Sequence, residues 1–357
     1  MINVLMFDAA YPPPVIGGKE KQAHLLTREL LNCQAKVKVV TFAHYENESG
    51  QYQGVDVRRL KRSMVAPVVL MVYLFRMRFV FDILHVHTPS RIGRGVAVFG
   101  AFLGYRVIFK FPNEHILDNC SWIDKVFWRL TLRMVRLVVV LENDTFRKLK
   151  AWGVKKERIF FVANGVQLGS RKEQRRKAKP LRLLFVGRLL PQKRCSDLIA
   201  ACGVLRARRV DWKLDIVGDG PLKNDLQHLS RELGIDDRVV FRGHRDDVSR
   251  FMQEADVLIV PSEREGMSNV ILEGMSIGIP IVASDVGSAK RMLGTEGRRY
   301  IFEPYDIKAL AEKILLLADD DEGRERYSVY LFDRCRKYFS INSIAETYMV
   351  QYKRLTS

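Results

Sequence analysis

The sequence predicts an α/β protein made of two doubly wound parallel-sheet domains. Three observations lead there. Short apolar runs alternate with amphipathic helical stretches along the chain, which is the pattern of consecutive βα units. The alternation stops near residues 165–180, in a charged stretch without strand pattern, and then starts again. The length of 357 residues suits about two domains.

In the first half the apolar runs place strands at Asn3–Phe7, Lys36–Phe42, Ile83–Val86, Arg106–Phe109, Leu137–Leu141 and Ile159–Val162, with helices at Lys19–Leu31 and Asn143–Trp152. The second half repeats the design. Strands are expected at Leu181–Val186, Lys213–Val217, Val239–Arg242, Val257–Val260, Ile279–Ala283 and Tyr300–Phe302. Helices are expected at Cys195–Arg206, Leu222–Leu233, Val248–Glu254 and Asn269–Ile277. Beyond Asp306 the pattern turns helical and ends in a periodic stretch, Ile341–Leu355. The organisation read from this is a first domain over 1–165, a basic linker over 166–180, a second domain over 181–338 and a terminal helix over 339–357.

Charge is the unusual feature. Lys and Arg number 59 against 41 Asp and Glu, a formal net of +18. Residues 1–170 carry 25 basic and 13 acidic groups, and the run 171–179 adds six basic and one acidic. The rest is close to neutral, so the surplus belongs to the first half and the linker. Nucleic acid, an anionic membrane and a phosphorylated small molecule all suit such a charge. Nucleic-acid binding is disfavoured, because no basic surface interleaved with aromatic residues is found. Five cysteines with no CxxC pair indicate neither a disulfide framework nor a zinc site, and point to a reducing, cytoplasmic compartment.

The N-terminal run ends at Asp8 without a basic leader, unlike a secretory signal. The longest uncharged apolar run, Met64–Phe75, is interrupted by Pro67 and falls short of the ~20 residues that span a bilayer. Basic groups at Arg58, Arg59, Lys61, Arg62, Arg76 and Arg78 bracket it. It suits a core-facing helix with a solvated polar end, or an interfacial helix on an anionic leaflet. In Trp122–Leu137 a stripe of Arg129, Arg133 and Arg136 lies opposite Val126, Leu130 and Leu137, again suiting a solvated face or a phospholipid surface.

In doubly wound sheets ligands sit beyond the carboxyl ends of strands, so the residues following each strand are the candidates. After the first strand comes Tyr11-Pro-Pro-Pro-Val-Ile-Gly17-Gly18 at the start of a helix. Paired glycines there suit either an anion on the helix N-terminus or simply a turn. In the second half Gly187 and Arg188 leave their strand and Lys193 follows on the same loop, close enough for both cations to reach one diphosphate. The segment Val217-Gly-Asp-Gly-Pro221 lacks the third glycine of a dinucleotide fingerprint, and nicotinamide binding is rejected. The densest stretch runs from Pro261 to Ser276. There Glu265 ends a post-strand loop, Gly266 permits close approach, Ser268 or Asn269 can cap the next helix, and Glu273 lies one turn on. Two carboxylates beside free N–H groups suit sugar hydroxyls next to a phosphate. They also suit a general acid/base pair.

These segments in this order resemble the retaining glycosyltransferases of family 4, among them enzymes of capsular, exopolysaccharide and lipopolysaccharide biosynthesis. The residues carrying the resemblance are VGRL…K from Val186, VGDGPLKNDLQHLSRELGIDDRVVFRGHRDDV from Val217, and ADVLIVPSEREG…LEGMSIGIPIVASDVG from Ala255. The pair Glu265…Glu273 is similar to the family's E-x7-E. The resemblance implies the GT-B fold, two Rossmann-like domains facing each other across a cleft, with the terminal helix crossing back to the first. It implies a nucleotide-sugar substrate, a UDP-sugar favoured over a GDP-sugar, and no further cofactor or metal. Arg188 and Lys193 match the donor-diphosphate binders, and Gly17 and Gly18 would close over the same phosphates. Glu265 matches the carboxylate at the donor sugar, Glu273 the one at the ribose, and His87 a histidine on the acceptor side. The base is expected near Gly243, His244 and Arg245. The implied activity is transfer to a saccharide acceptor, lipid-linked, at the inner face of the cytoplasmic membrane. A GT-B-fold sugar-nucleotide epimerase is the alternative.

Departures from the family pattern are specific. The strand ending at Phe111 carries no histidine, leaving Lys110 or His115 for that place. Glu142 stands where serine is usual, Arg194 where a glycine follows the phosphate lysine, and Gly287-Ser-Ala-Lys-Arg291 where GGxxE is usual. None removes a donor-phosphate group.

Overall fold

The structure, a computed structural model, describes residues 2–13, 17–42, 49–111, 120–173 and 180–357. The chain divides into two compact units. Residues 1–165 and 341–357 form the first, and residues 166–340 the second.

The first unit is an eight-stranded sheet with helices packed on it. Its strands are β1 (Asn3–Phe7), β2 (Lys36–Phe42), β3 (Gly50–Tyr52), β4 (Val55–Leu60), β5 (Ile83–Val86), β6 (Arg106–Phe111), β7 (Leu137–Val140) and β8 (Ile159–Phe161). The order across the sheet is β3-β4-β2-β1-β5-β6-β7-β8. Every pairing is parallel except β3 with β4. Runs such as Leu137-Val-Val-Val140 are buried on both faces, as parallel strands covered by helices must be. The β3–β4 hairpin is not legible from hydrophobic runs. β4 alternates buried Val55 and Val57 with exposed Asp56 and Arg58, and its turn is made by Gln53 (φ 47) and Gly54 (φ 84), both left-handed.

Helices α1 (Gly18–Asn32), α2 (Ala66–Met77), α3 (Arg91–Phe102), α4 (Trp122–Met134) and α5 (Asn143–Ala151) belong to the same unit. Pro67 lies in the first turn of α2, where its missing N–H breaks no helical bond. The terminal helix of the chain (Ile341–Thr356) also packs here: Asn342 Nδ2 donates to Glu29 on α1 (2.6 Å), and Tyr352 Oη lies 2.7 Å from His85 Nδ1 on β5.

A core-facing α2 with one solvated end is corrected by the structure. Only Ala66, Leu70 and Leu74 of α2 are buried, while Val68, Val69, Met71, Val72 and Phe75 face solvent. On α4 the arginine stripe does not oppose a buried apolar face either. Val126 and Leu130 are exposed with Trp122, Ile123 and Phe127, and the buried side is Trp128, Thr131 and Leu132. Leu137 belongs to β7 and Arg136 lies beyond the helix. Of the 22 large apolar side chains exposed among the described residues, 16 fall between Met64 and Leu130, so the exposure is a local feature of this region. Among the described residues no helix is long and apolar enough to cross a membrane.

The second unit is a six-stranded parallel sheet of β9 (Leu181–Val186), β10 (Trp212–Val217), β11 (Val239–Gly243), β12 (Val257–Val260), β13 (Ile281–Ser284) and β14 (Ile301–Phe302), in the order β11-β10-β9-β12-β13-β14. Helices α6 (Cys195–Ala207), α7 (Lys223–Glu232), α8 (Val248–Glu254), α9 (Asn269–Met275), α10 (Ala289–Gly297), α11 (Ile307–Ala318) and α12 (Asp321–Tyr338) connect and follow the strands; the terminal helix is α13. Residues 166–173, read from sequence as the start of a linker, are hydrogen-bonded to this unit: Gly169 N donates to Ser276 O (3.1 Å), Lys172 N to Ile277 O (2.8 Å), and Arg171 pairs with Glu325 (2.7 Å). The remaining basic residues of that run, within 174–179, lie outside the described residues.

The candidate active site

In the second unit β9 is central. The chain steps from it to β10 and β11 on one side and to β12, β13 and β14 on the other, so the order reverses between β9 and β12. At such a switch point the loops leave in opposite directions and open a crevice at the carboxyl edge. Arg188 and Lys193 follow β9, and Glu265 and Gly266 follow β12.

Lys193 ends a 3-10 turn, Pro191–Lys193, and its Nζ is paired with Glu265 Oε1. The same carboxylate oxygen accepts from Ser262 Oγ (2.9 Å), and Glu263 N donates to Gln192 O (2.9 Å), tying the two loops by backbone as well. Arg188 is exposed and makes no ion pair among the described residues. The crevice therefore carries one cation held in place and one free to take an anion.

Backbone approaches the edge closely in three places. A Cβ at Gly218 (φ +138) would lie 1.9 Å from Gly187 O, and one at Gly220 would lie 2.5 Å from Leu189 O. Gly218 N donates to Gly243 O (2.8 Å). So Gly187, Gly218 and Gly243, at the carboxyl ends of three adjacent strands, make a shelf of bare peptide. The glycines of Val217–Pro221 serve this packing, which explains them without a dinucleotide fingerprint. On the other side Gly287 (φ +54) backs the Glu265–Gly266 turn, where a Cβ would lie 2.1 Å from Glu265 O and 2.3 Å from Gly266 O, and Ser288 N donates to Gly266 O (2.9 Å).

Other sequence candidates fall as follows. Ser268 stands at the N-cap position of α9 and is buried, but its side chain makes no capping hydrogen bond, contrary to expectation. Asn269 opens α9 and Glu273 is half-buried one turn on. His244 and Arg245 are exposed beyond β11; His244 faces Asp246 (3.6 Å) and Arg245 grips Asp247 (2.9 and 3.0 Å).

Arg194, in the place of the expected glycine, takes the left-handed conformation itself (φ 49). Its guanidinium holds buried Asp197 through two bonds (2.9 and 2.7 Å) and lies 4.5 Å from the Tyr305 ring centre. These contacts offset a backbone strain of about 1–3 kcal/mol, and the loop keeps its course. Both Arg194→Gly and Arg194→Ala lose the Asp197 bonds, at about 1–3 kcal/mol, but only alanine keeps the left-handed strain, so Arg194→Gly should cost less stability. Urea unfolding of the two variants checks that order; equal midpoints would contradict it.

In the first unit the switch point lies between β1 and β5. Asp8 follows β1 and accepts from Thr88 Oγ1 (2.6 Å), which follows β5. His87 is buried there, its ring tilted at 39° to that of His85 with 4.2 Å between centroids, and its Nε2 has no hydrogen-bond partner among the described residues. Burial first, then His85 and Lys110, hold the His87 imidazole neutral by pushing its pKa well down. Lys110, at the end of β6, is buried and donates to Asn164 Oδ1 (2.9 Å). His115 lies outside the described residues. Burial raises the Asp8 carboxyl to about 6 and lowers the Lys110 ammonium to about 8. Glu142 is buried beside Thr145 (3.2 Å). Gly17 (φ −167, extended) and Gly18 are exposed at the start of α1. Gly17 therefore needs no left-handed freedom.

A pH dependence follows. The folded state binds the Lys110 proton less tightly than the unfolded chain, so this group's contribution is full above about 10.5 and is lost as pH falls through about 8. The first unit should gain stability between those values, and Lys110→Met should abolish the gain. Urea midpoints across that interval decide it; an unchanged slope in the variant would contradict the assignment. Asp8 acts oppositely, losing its contribution as pH rises through about 6.

Among known proteins, residues 17–165 match the family described as glycosyl transferase 4-like domain, and residues 167–331 match glycosyl transferases group 1. N-acetyl-alpha-D-glucosaminyl L-malate synthase of Bacillus anthracis is 30% identical over 190 residues, covering 52% of this chain and 49% of that protein. UDP-Gal:alpha-D-GlcNAc-diphosphoundecaprenol alpha-1,3-galactosyltransferase of Escherichia coli is 29% identical over 199 residues, covering 52% and 51%. The chain thus spans about half the length of these curated relatives. The solved structure of Anabaena Alr3699/HepE in complex with UDP and glucose superposes with a TM-score of 0.79 at 18% identity, covering 99% of this chain and 100% of that one. That likeness shows the GT-B fold.

Proposed function

Because the chain belongs to the group 1 glycosyl transferases, with a glycosyl transferase 4-like domain preceding, we propose that it moves a sugar from a nucleotide-sugar donor to a lipid-linked saccharide acceptor with retention of configuration. The observation that carries this reading is the Lys193–Glu265 pair beside unpaired Arg188 at the switch point of the second unit. As the glycosidic C–O bond breaks, negative charge gathers on the leaving diphosphate and positive charge on the anomeric carbon. Fixed cations at the phosphate stabilise the first without reorganisation. Arg188 and Lys193 have that part, and their charge meets the diphosphate without a metal. Glu265, fixed by Lys193 and Ser262, is left to accept from donor-sugar hydroxyls, and Glu273 from the ribose. The peptide shelf at Gly187 and Gly243, with His244 and Arg245 beyond it, is where the base would lie. Ser268 and Asn269, at the start of α9, complete the wall behind Gly266.

The acceptor oxygen attacks the anomeric carbon on the face the diphosphate leaves. A new C–O bond forms there, and the hydroxyl proton passes to the departing phosphate oxygen. Neutral His87, whose Nε2 has no partner among the described residues, is the acceptor-side group in the first unit. A UDP donor and a lipid-diphosphate acceptor are supported by the Escherichia coli relative, whose name contains both. The exposed apolar and basic surface of α2 and α4 supports work at an anionic membrane face. Incubation with UDP-, GDP- and ADP-sugars tests the reading: release of nucleoside diphosphate, with retention at the transferred sugar, is expected. Epimerised donor with no diphosphate released would overturn it.

A further inference from the structure

Helices α2, α3 and α4 of the first unit enclose a groove of about 770 Å³ that the donor chemistry leaves unused. Its apolar lining includes Met71 on α2, Val98 and Phe99 on α3, and Ile123 and Phe127 on α4. One end is polar, formed by Arg91, Arg94, Ser121 and Asp124, and Phe102 and Met134 line the other. Chain direction orients it. The α3 helix starts just after β5, and α4 ends just before β7. In a parallel sheet both helices therefore run from the carboxyl edge to the amino edge. The polar end consequently lies toward the edge that carries Asp8, Thr88 and His87.

We propose that this groove holds the hydrocarbon chain of a phosphate-linked lipid acceptor, with the phosphate at Arg91 and Arg94. The inference rests on the transfer reading above. Charge is the first support. Arg91 and Arg94 share one carboxylate, Asp124 (3.3 and 2.7 Å), which leaves one positive charge in surplus. Hydrogen bonds from both arginines hold that carboxyl down at about 2, so it stays ionised. Arg94 is more than nine-tenths buried against the Trp128 ring (4.7 Å) and holds Asp124 in place, while the exposed side chain of Arg91 can reach a phosphate at this end of the groove. The wider region agrees: residues 57–81, 91–102 and 121–136 contain twelve basic groups, of which Arg59 and Arg94 are buried, and one acidic. Side chains at both ends of the groove stand in solvent, Trp122 at 74% and Phe102 at 81% exposure, so a chain longer than the groove can continue into a bilayer. An acidic protein partner would satisfy the charge but would not need a deep apolar slot between three helices.

Gly95 gives a clean test. It lines the groove, and a Cβ there meets nothing within 4 Å, so Gly95→Phe fills the slot without displacing backbone. Farnesyl phosphate is the probe, titrated into the full chain by calorimetry and by tryptophan fluorescence, to which Trp122 and Trp128 beside the groove contribute two of the four indoles. The wild type should bind it, and Gly95→Phe and Arg91→Glu should each weaken binding about ten-fold or more. Farnesol should bind less tightly than farnesyl phosphate. Binding of a UDP-sugar to the same variants should be unchanged, which separates this proposal from the donor assignment. Wild type that ignores farnesyl phosphate, or Gly95→Phe that binds it as well as wild type, overturns the groove. So does a variant that loses only a protein partner. If wild type fails to bind any nucleotide sugar while Gly95→Phe still abolishes farnesyl phosphate binding, the groove stands and the transfer reading falls.

Discussion

Lys193→Ala should lower kcat/KM for sugar transfer by about 10²–10³-fold, the loss seen when one fixed stabiliser of developing negative charge is removed. Glu265→Ala should do the same from the other side of the pair. The two side chains are partners in the resting protein, yet in the proposed reaction they would serve opposite charges, so neither could substitute for the other. The double variant should be little worse than either single one, since each removal already undoes the shared geometry. Folding should survive both changes. Without Lys193, Glu265 still accepts from Ser262 (2.9 Å), and Glu263 N to Gln192 O (2.9 Å) still joins the loops. Steady-state kinetics beside thermal unfolding checks both halves of the statement; near-normal turnover in both variants would remove these residues from the site.

Gly287→Ala should be nearly as damaging, although the residue touches no substrate in this account. Its φ of +54 is left-handed, and the new Cβ would lie 2.1 Å from Glu265 O and 2.3 Å from Gly266 O. Both are backbone atoms, so no side-chain rotation relieves the clash. The turn that aims Glu265 must move. A displacement near 1 Å costs about 10²-fold in rate, and the strain costs about 1–3 kcal/mol in stability. Gly203→Ala, in α6 and outside the site, is the control. Its Cβ meets Leu233 side-chain atoms at 3.5 and 3.7 Å, ordinary contacts, and neither stability nor activity should fall. Activity of Gly287→Ala equal to that of Gly203→Ala would show that the turn is not positioned this way.

Those two glycines mark what the sequence could and could not show. Strands β1, β2, β5, β9 and β12 coincide with the runs that predict them, because strands covered by helices are mostly apolar, with charge confined to exposed positions such as Lys36 and Arg182. Arg188, Lys193 and Glu265 were also legible, since they are charged residues just past such strands. Gly287 was visible only as a departure from a familiar pattern. Its purpose is a contact with Glu265, 22 residues away in the chain, and periodicity carries no record of such contacts. The same holds for Asp8, Thr88 and Lys110, which three separate strands bring to one edge. The outward faces of α2 and α4 were misjudged for a related reason. Apolar spacing shows that a helix has an apolar face, and only the packed structure shows which residues its neighbours cover.

The central claim is that the switch point of the second unit binds a nucleoside diphosphate through two cations. Calorimetric titration of the nucleotide sugar that the protein accepts, against wild type and against Arg188→Ala/Lys193→Ala, tests it most directly. The account predicts that the double variant, still folded, binds about 100-fold or more weakly, since each charge-assisted bond contributes about 1.5–3 kcal/mol. Equal affinity in the two proteins would contradict it.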